Sequence, residues 1–531
     1  MGLFDFLNTS KVRSKIKKEV LQSLDVRERE QRMVAQNFIM RHFQSSNESR
    51  RRPGWDMFSL SADAELLHVL PTMRARSRLL VDNDAKAGGL VLKEISNVIG
   101  PSISVQAKIP PSYLKAQPLQ SERVKDVIDN AEYFWREKVA KAGSKDLDWR
   151  RTRTFLQYMR LAFRHAKVDG GVFLRFSGAV GRSIPFQCRI IEPECIGTPP
   201  SLQNRDNIVG GIQFKSSGEL DGYWVAMKHP YGLAGSIEYE FVSARNEFGL
   251  PQMVFFFDPH RESASREIPW LQRALVLLND VADYKDSELQ RKKLEADIAW
   301  FFKLNNPDKA QTTMEGDTAF GGDNTNTSKR STVANPKRLV HYLEQNEDLQ
   351  VVNSDRPGAN YEKFLISHDR DIGLGIGRSF ERVSNNYGAA NFSATRVSGI
   401  EDFVEYEIEF NLFAESILTP IWEWAMWALS MSLGDPVYRQ VEPRWQRYVK
   451  PSWDPNNDAD AAVKRMEGNV QSVVEEAGKI GADWETVQDN KLKAELREQE
   501  ERKRLGLEAK SDSKNGKQNP PKSTEDANVQ E

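Results

Sequence analysis

The hydrophobic pattern changes period several times along the chain. Residues 10–45 alternate charge with Val, Leu, Ile, Met and Phe, which predicts a charged amphipathic helix. Such a helix is either a solvated face with one packing stripe or an arm laid on a neighbouring subunit. After the polar break at Asn47–Pro53, read as a surface linker, the stretch 66–100 reads as a helical hairpin. Asp82–Asp84 supply its turn or N-cap, and Gly100 stops its second helix. Arg74, Arg76 and Arg78 alternate and should spread around the first helix. A short strand is expected at 101–110, with helices over 122–141 and 149–168.

From Val172 to Asp258 the signal is β. The runs FQCRIIEP, GGIQFKSSGELDGYWVAM and PQMVFFFD are short, apolar and separated by Gly, Ser and Pro. After Pro269 the period becomes helical, with Leu271, Leu275, Leu278 and Ala282 on one face. This run predicts one long helix, roughly 50 Å from about 34 residues. Residues 304–336 are polar and predict an exposed excursion, followed by short β segments at 339–343 and 349–352 and a helix from about Tyr361 to Gly373. The stretch 373–395 is rich in Gly, Asn and Ser, which predicts a loop. It feeds a heavily apolar helix in which Ile400, Val404 and Ile408 recur every four residues, with Phe403 and Leu412 alongside and a kink expected at Pro420. Residues 441–484 carry Trp445, Trp453 and Trp484 among short helices, a charged helix begins near Lys491, and the polar tail from Ser511 predicts disorder.

A chain of 531 residues exceeds one ordinary core and predicts two to four domains. The net charge of −2 gives no bulk signature of a nucleic-acid binder, so any DNA contact must come from local patches or assembly geometry. Two cysteines, Cys188 and Cys195, make neither a disulfide framework nor a four-ligand zinc site, and they suit a reducing compartment. The first twenty residues carry charge where a signal peptide needs an apolar core, and Phe6 stands where myristoylation wants Ser or Thr. The most apolar window, 412–433, contains Glu415, Pro420 and Glu423 and reads as a buried helix rather than a membrane span.

Catalytic patterns are missing. GLGIG at 373–377 follows a helix rather than a strand and lacks the Gly-Lys-Ser/Thr of a phosphate loop, so it reads as a hinge or helix stop. The seven histidines are scattered, with no HExxH and no GxSxG elbow. Asp280, Asp283, Asp286 and Glu288 share their helix with Lys285 and Arg291 and read as a solvated, salt-bridged face. Asp454–Asp460 lacks the central Gly and terminal Glu of a calcium loop. No cofactor and no metal are expected.

Several blocks, in order, resemble the lambda-type portal proteins of tailed bacteriophages. MRARSRLLVDNDAKAGGLVLKEISNVIG carries one through Arg74, Arg76, Ser77, Asn83, Gly88, Asn97, Val98 and Gly100. RHAKVDGGVFLRF, RIIEPECI and IVGGIQFKSSGELDGYWVAMKHP carry the strand blocks, and REIPWLQRALVLLNDVADYKDSELQRKKLEA the helix after them. SNNYGAANFSATRVSGIE carries the last, through Tyr387, Asn391, Phe392, Ser393 and Arg396. The blocks span about 66–435. Three departures stand out. Gly170-Gly171 replaces the usual Gly-Glu, Ser265-Arg266-Glu267 replaces a pattern ending Arg-Gly, and Ala394-Thr395 replaces a second Ser.

The resemblance implies an α+β, portal-type subunit that assembles as a ring, expected to be a dodecamer, at one capsid vertex of the virion. It implies an N-terminal arm at 1–65, an α/β wing at 66–266 and a first stem helix at 267–303. A clip at 304–360, a second stem helix at 361–372 and a channel loop at 373–395 follow. Beyond these come a kinked helix back into the wing at 396–440, a helical crown at 441–500 and a disordered tail at 501–531. The implied role is structural rather than enzymatic. Double-stranded DNA passes the channel during packaging and ejection. The implied partners are the terminase large subunit, head-completion and connector proteins, and the major capsid and scaffold proteins. Asn385, Asn386, Tyr387, Asn391 and Arg396 are the candidate DNA-channel residues; they either touch passing DNA or pack between subunits. Two other classes stand beside this reading: a different virion or scaffold protein of similar helical build, and a cryptic hydrolase.

Overall fold

In a computed structural model of the chain, the described residues are 60–232, 237–297, 300–303, 333–335, 338–343, 361–387, 392–448, 455–479 and 484–504. The chain divides at residue 65, and the second unit, Leu66–Glu531, holds everything that follows. It is α+β, as the pattern predicts.

The helical hairpin forms as α1 (Leu70–Asn83) and α2 (Ala85–Val98). Asp84 caps α2 by accepting from the Ala87 amide at 2.7 Å, and Gly100, at φ 65°, ends it. Gly88 lets the two helices close, because a Cβ there would sit 2.7 Å from the Val81 carbonyl oxygen. Strand β1 (Ile103–Lys108), α3 (Pro111–Ala116), α4 (Ser121–Phe134) and α5 (Phe155–Val168) come next, and a π-turn, Trp135–Val139, extends α4.

The β region is two small sheets. One orders β3 (Phe186–Ile191), β2 (Gly171–Gly178) and β8 (Met253–Phe257). The other is an antiparallel meander of β4 (Ile208–Val209), β5 (Ile212–Phe214), β6 (Leu220–Ala226) and β7 (Tyr239–Ser243). They share a small core of Phe173, Ile191, Ile212, Tyr223, Val242 and Met253.

The expected 34-residue helix is shorter. Trp270–Arg273 is a 3-10 turn, and α6 runs Leu275–Asp297, about 35 Å long. Leu271, Leu275 and Leu278 are buried as the spacing required, while Asp280, Asp283 and Asp286 are exposed. Residues 300–303 are not the helix end but strand β9 (Trp300–Lys303), which pairs in parallel with β11 (Arg338–Leu343); β10 (Val333–Asn335) pairs antiparallel on β11's other edge. The expected β segment at 349–352 lies outside the described residues.

The expected loop at 373–395 is mostly helix. The helix α7 (Tyr361–Ile376) carries GLGI as its last turn, and α8 (Phe380–Ser384) follows after three residues. The glycines do not break α7 because Ile372 and Ile376, four apart, bury that turn in the core. Gly377, at φ 68°, is the stop. The helix α9 starts at Phe392 and runs to Phe413, so only Asn385–Asn391 separates α8 from α9.

The expected break near Pro420 is a π-turn, Ala414–Leu418, just before α10 (Thr419–Leu433). Proline has no amide to donate, so the ladder loosens upstream of it. The irregular turn and α10 form the centre of the large core, with Phe413, Ile417, Leu418, Ile421 and Trp422 almost fully buried. The ring of Trp422 meets Trp135 at 5.5 Å and Trp445 at 6.1 Å, and its indole donates to the Val441 carbonyl at 2.8 Å.

The stretch expected as crown opens with a strand. Strand β12 (Glu442–Arg447) pairs antiparallel with β1, from Ile103 opposite Arg447 to Lys108 opposite Glu442, so it completes the 66–266 region. The helices α11 (Pro455–Glu467), α12 (Val473–Lys479) and α13 (Trp484–Arg504) follow. Among the described residues, no helix is long and apolar enough to cross a membrane.

Candidate functional site

The short segment between α8 and α9 stands on a mount of buried charge. Arg378, in the turn after α7, sends Nε and Nη2 to the two carboxylate oxygens of Glu94 on α2, at 2.9 and 2.7 Å. Nη2 also reaches Glu409 Oε1 of α9 at 2.7 Å, and Lys167 of α5 meets the same oxygen at 2.7 Å. The guanidinium lies 4.7 Å from the Tyr406 ring centre and 5.7 Å from that of Trp270. Arg378 and Glu94 are each 2% exposed at the side chain. Burial pushes the Glu94 carboxyl up against the pull of Arg378. Burial also pushes Glu409 up, but Lys167 and Arg378 outweigh it and hold its carboxyl below the ordinary value.

The next residue extends the clamp. The Ser379 amide and hydroxyl donate to the two oxygens of the buried Asp402 on α9, at 2.9 and 2.6 Å, and Arg382 donates to it at 3.2 Å. Lys93 of α2 donates to the Arg382 carbonyl at 2.8 Å, and Lys86 pairs with Asp369 of α7. Gly373 is required here, since a Cβ would sit 2.6 Å from the Arg378 carbonyl oxygen. The turn at 378–379 is thus bound directly to α2 and α9, and Lys167 of α5 joins through Glu409.

The five candidate channel residues separate on this mount. Asn385 caps α8 in the left-handed conformation, at φ 56°, and accepts from Lys93 at 3.1 Å, so it has a local structural role. The Asn386 amide donates to the Ser384 hydroxyl at 3.2 Å, and its side chain is exposed. Tyr387 is exposed at the end of the described stretch. Asn391 lies outside the described residues. Arg396 is exposed on the first turns of α9, beyond the connector.

A second buried network joins α1 to the turn before α6. Arg74 pairs with Glu267, which is fully buried and also takes Arg266 at 2.9 Å. Arg266 donates to the carbonyls of Pro193 at 2.9 Å, Ile196 at 3.1 Å and Gly210. Arg78 donates to Asp169 at 2.6 Å, whose other oxygen meets His165 Nδ1 at 2.7 Å. Arg74 and Arg78 therefore share an inward face, four residues apart, and only Arg76 is exposed. Two of the sequence departures meet here. A Cβ on Gly171 would lie 3.0 Å from the Glu267 Cβ, so a carboxylate absent at 171 is supplied from 267 beside it.

Sequence spacing missed one cluster with ligand chemistry, because His229 comes from a loop more than 30 residues beyond the turn that carries Glu192 and Glu194. Glu192, Glu194 and His229 bring their ligand atoms within 4.8 Å of one another. Arg78 already lies in that cluster, 2.9 Å from Glu194. The acidic run on α6 is the solvated face its spacing predicted, with Asn279 on Asp283 and Arg291 on Glu288.

A family model described as phage portal protein, lambda family, matches residues 48–409. The portal protein of Escherichia phage N15 is 22% identical over 370 residues, covering 66% of this chain and 68% of its own. Portal protein B of Escherichia phage lambda is likewise 22% identical over 370 residues, covering 66% and 67%. Among solved structures, the neck of an empty gene transfer agent (GTA) particle aligns with 78% of this chain and 94% of its own at 11% identity, with a TM-score of 0.38. The neck of the native particle aligns with 85% and 99% at 13% identity, with a TM-score of 0.36. The matched segment holds both buried charge networks and all five candidate channel residues, and this chain belongs to the lambda family of phage portal proteins.

Proposed function

We propose that the chain is one subunit of a homo-oligomeric ring at the capsid vertex, and that residues 385–391 border the path that DNA takes through it. The observation that carries the reading is the mount. A connector of seven residues joins α8 to α9, and the turn just before α8 is pinned through Arg378 and Ser379 to Glu94 on α2 and to Glu409 and Asp402 on α9. A channel constriction needs a stiff support, and a short connector between pinned helices supplies one.

The same reading sets a limit on DNA affinity. Each phosphate neutralised by a fixed cation adds binding, and tight binding would stall movement. The near-neutral composition suits a duct rather than a grip. Tyr387, Asn386 and Arg396 are the exposed side chains offered at the connector, and Asn385 serves the fold instead. The α6–α7 excursion would then meet the terminase during packaging and head-completion proteins afterwards, with capsid and scaffold proteins around the wing. The chemistry of packaging would lie in the terminase, and this chain would act without a cofactor.

The test is in-vitro packaging into proheads carrying a connector-shortened subunit, with residues 387–390 deleted. Rings that form normally but package little DNA support the assignment. Unchanged packaging contradicts it.

A further inference from the structure

The helix α9 is apolar on two opposite faces. Tyr406, Phe410 and Phe413 face the core and are buried. Val397, Ile400, Val404, Ile408 and Leu412 lie on the other side, within an arc of about 120° at 100° per residue. These five are 41–58% exposed. A helix with two opposite apolar faces needs a cover on both, yet this one is covered on one side only. The stripe presents on the order of 400–500 Å² of apolar surface, as large as the biggest patch on a typical monomer. It continues across a groove of about 770 Å³, lined by Val404, Glu401 and Glu405 on α9 and by Leu374 and Arg370 on α7. Leu374, at 81% exposed, is the most exposed large apolar side chain on α7.

We infer that this stripe is an intersubunit surface, and that its occupant is a second copy of the chain; the inference rests on the ring proposed above. The area supports a copy. The stripe supplies about half of the roughly 800 Å² that one side of a specific interface needs, and the adjoining groove extends it. Charge decides the kind of contact. Glu401 lies within the stripe's arc and Glu405 and Glu407 flank it, all three exposed. Two stripes packed on each other would oppose these carboxylates, which disfavours a two-fold pair. The stripe must therefore meet a different face of the next copy, and such head-to-tail contacts close into rings.

The test compares the full chain with V404E/I408E by mass photometry. Both side chains are already half in water, so circular dichroism and the urea midpoint should not change. Subunit association should weaken by at least about a hundredfold, since two apolar contacts are replaced by charge. Leu433→Glu, equally exposed on α10, should leave rings intact. A second readout labels Ile400→Cys with maleimide, where the inference expects slow labelling in rings and fast labelling in free subunits. Rings in V404E/I408E as stable as in the parent overturn the inference and leave the ring reading standing. Slow labelling in free subunits also overturns it, because the chain's own segment would then cover the stripe. If the parent makes no rings at all, the ring reading itself fails.

Discussion

Arg378→Ala removes the centre of the connector's mount. The guanidinium makes two bonds to Glu94 and one to Glu409, all at 2.7–2.9 Å, and its side chain is 2% exposed. Its loss leaves Glu94 as a buried carboxylate without its cation. Glu409 keeps Lys167 at 2.7 Å, so the damage concentrates on Glu94. Breaking one side of a buried ion pair costs about 3–5 kcal/mol. The stacking on Tyr406 and Trp270 is lost as well. With a urea m-value of about 3 kcal/mol/M, the unfolding midpoint should fall by about 1–1.7 M. Tryptophan fluorescence reads the transition, because Trp270 and Trp422 sit in the affected core. The cycle is closed with Glu94→Leu. Replacing both partners by apolar groups should recover most of the loss, since the desolvation of both charges is removed together. If Arg378→Ala unfolds within about 0.3 M of the parent, the node does not hold the mount and the reasoning fails.

Two further outcomes follow from the two buried networks. Gly171→Glu alone should destabilise, as its Cβ would meet the Phe255 ring, the Phe256 carbonyl oxygen and the Glu267 Cβ, and Glu267→Gly alone should destabilise by removing the one carboxylate that Arg74 and Arg266 share; the double variant should be more stable than either, measured by urea unfolding. Stability should also fall in acid. Burial raises Asp169, Glu267 and Glu409, but their cations outweigh it and hold all three below their ordinary values of 3.8, 4.5 and 4.5. Their contribution is therefore complete above about pH 4.5 and lost as pH falls through the lower folded values. Urea midpoints at pH 7, 4.5 and 3 check this, and Asp169→Asn should flatten part of the fall.

Much of the local structure was legible. Asp84 and Gly100 marked the ends of α2 by their own backbone chemistry, and the leucine spacing gave the buried face of α6. The turn of α7 at Gly373–Ile376 was hidden because glycine propensity was overruled by packing: Ile372 and Ile376 bury the turn, and Gly373 is there to admit a carbonyl. The strand β12 was hidden because its partner lies more than 330 residues away in sequence, between Arg447 and Ile103. The mount was invisible for the same reason. Arg378, Glu94 and Glu409 look like ordinary surface charges until the fold brings them together, and nothing local marks a charge that will be buried. The loop expected at 373–395 was too long, since 373–376, 380–384 and 392–395 are helical.

The most direct test of the portal ring is negative-stain microscopy of the purified full chain with mass photometry beside it. Closed rings with a central hole, at about a dozen copies of the 60.6 kDa chain, are what the account predicts. A single species at the mass of one chain, across all salt and protein concentrations, would contradict it.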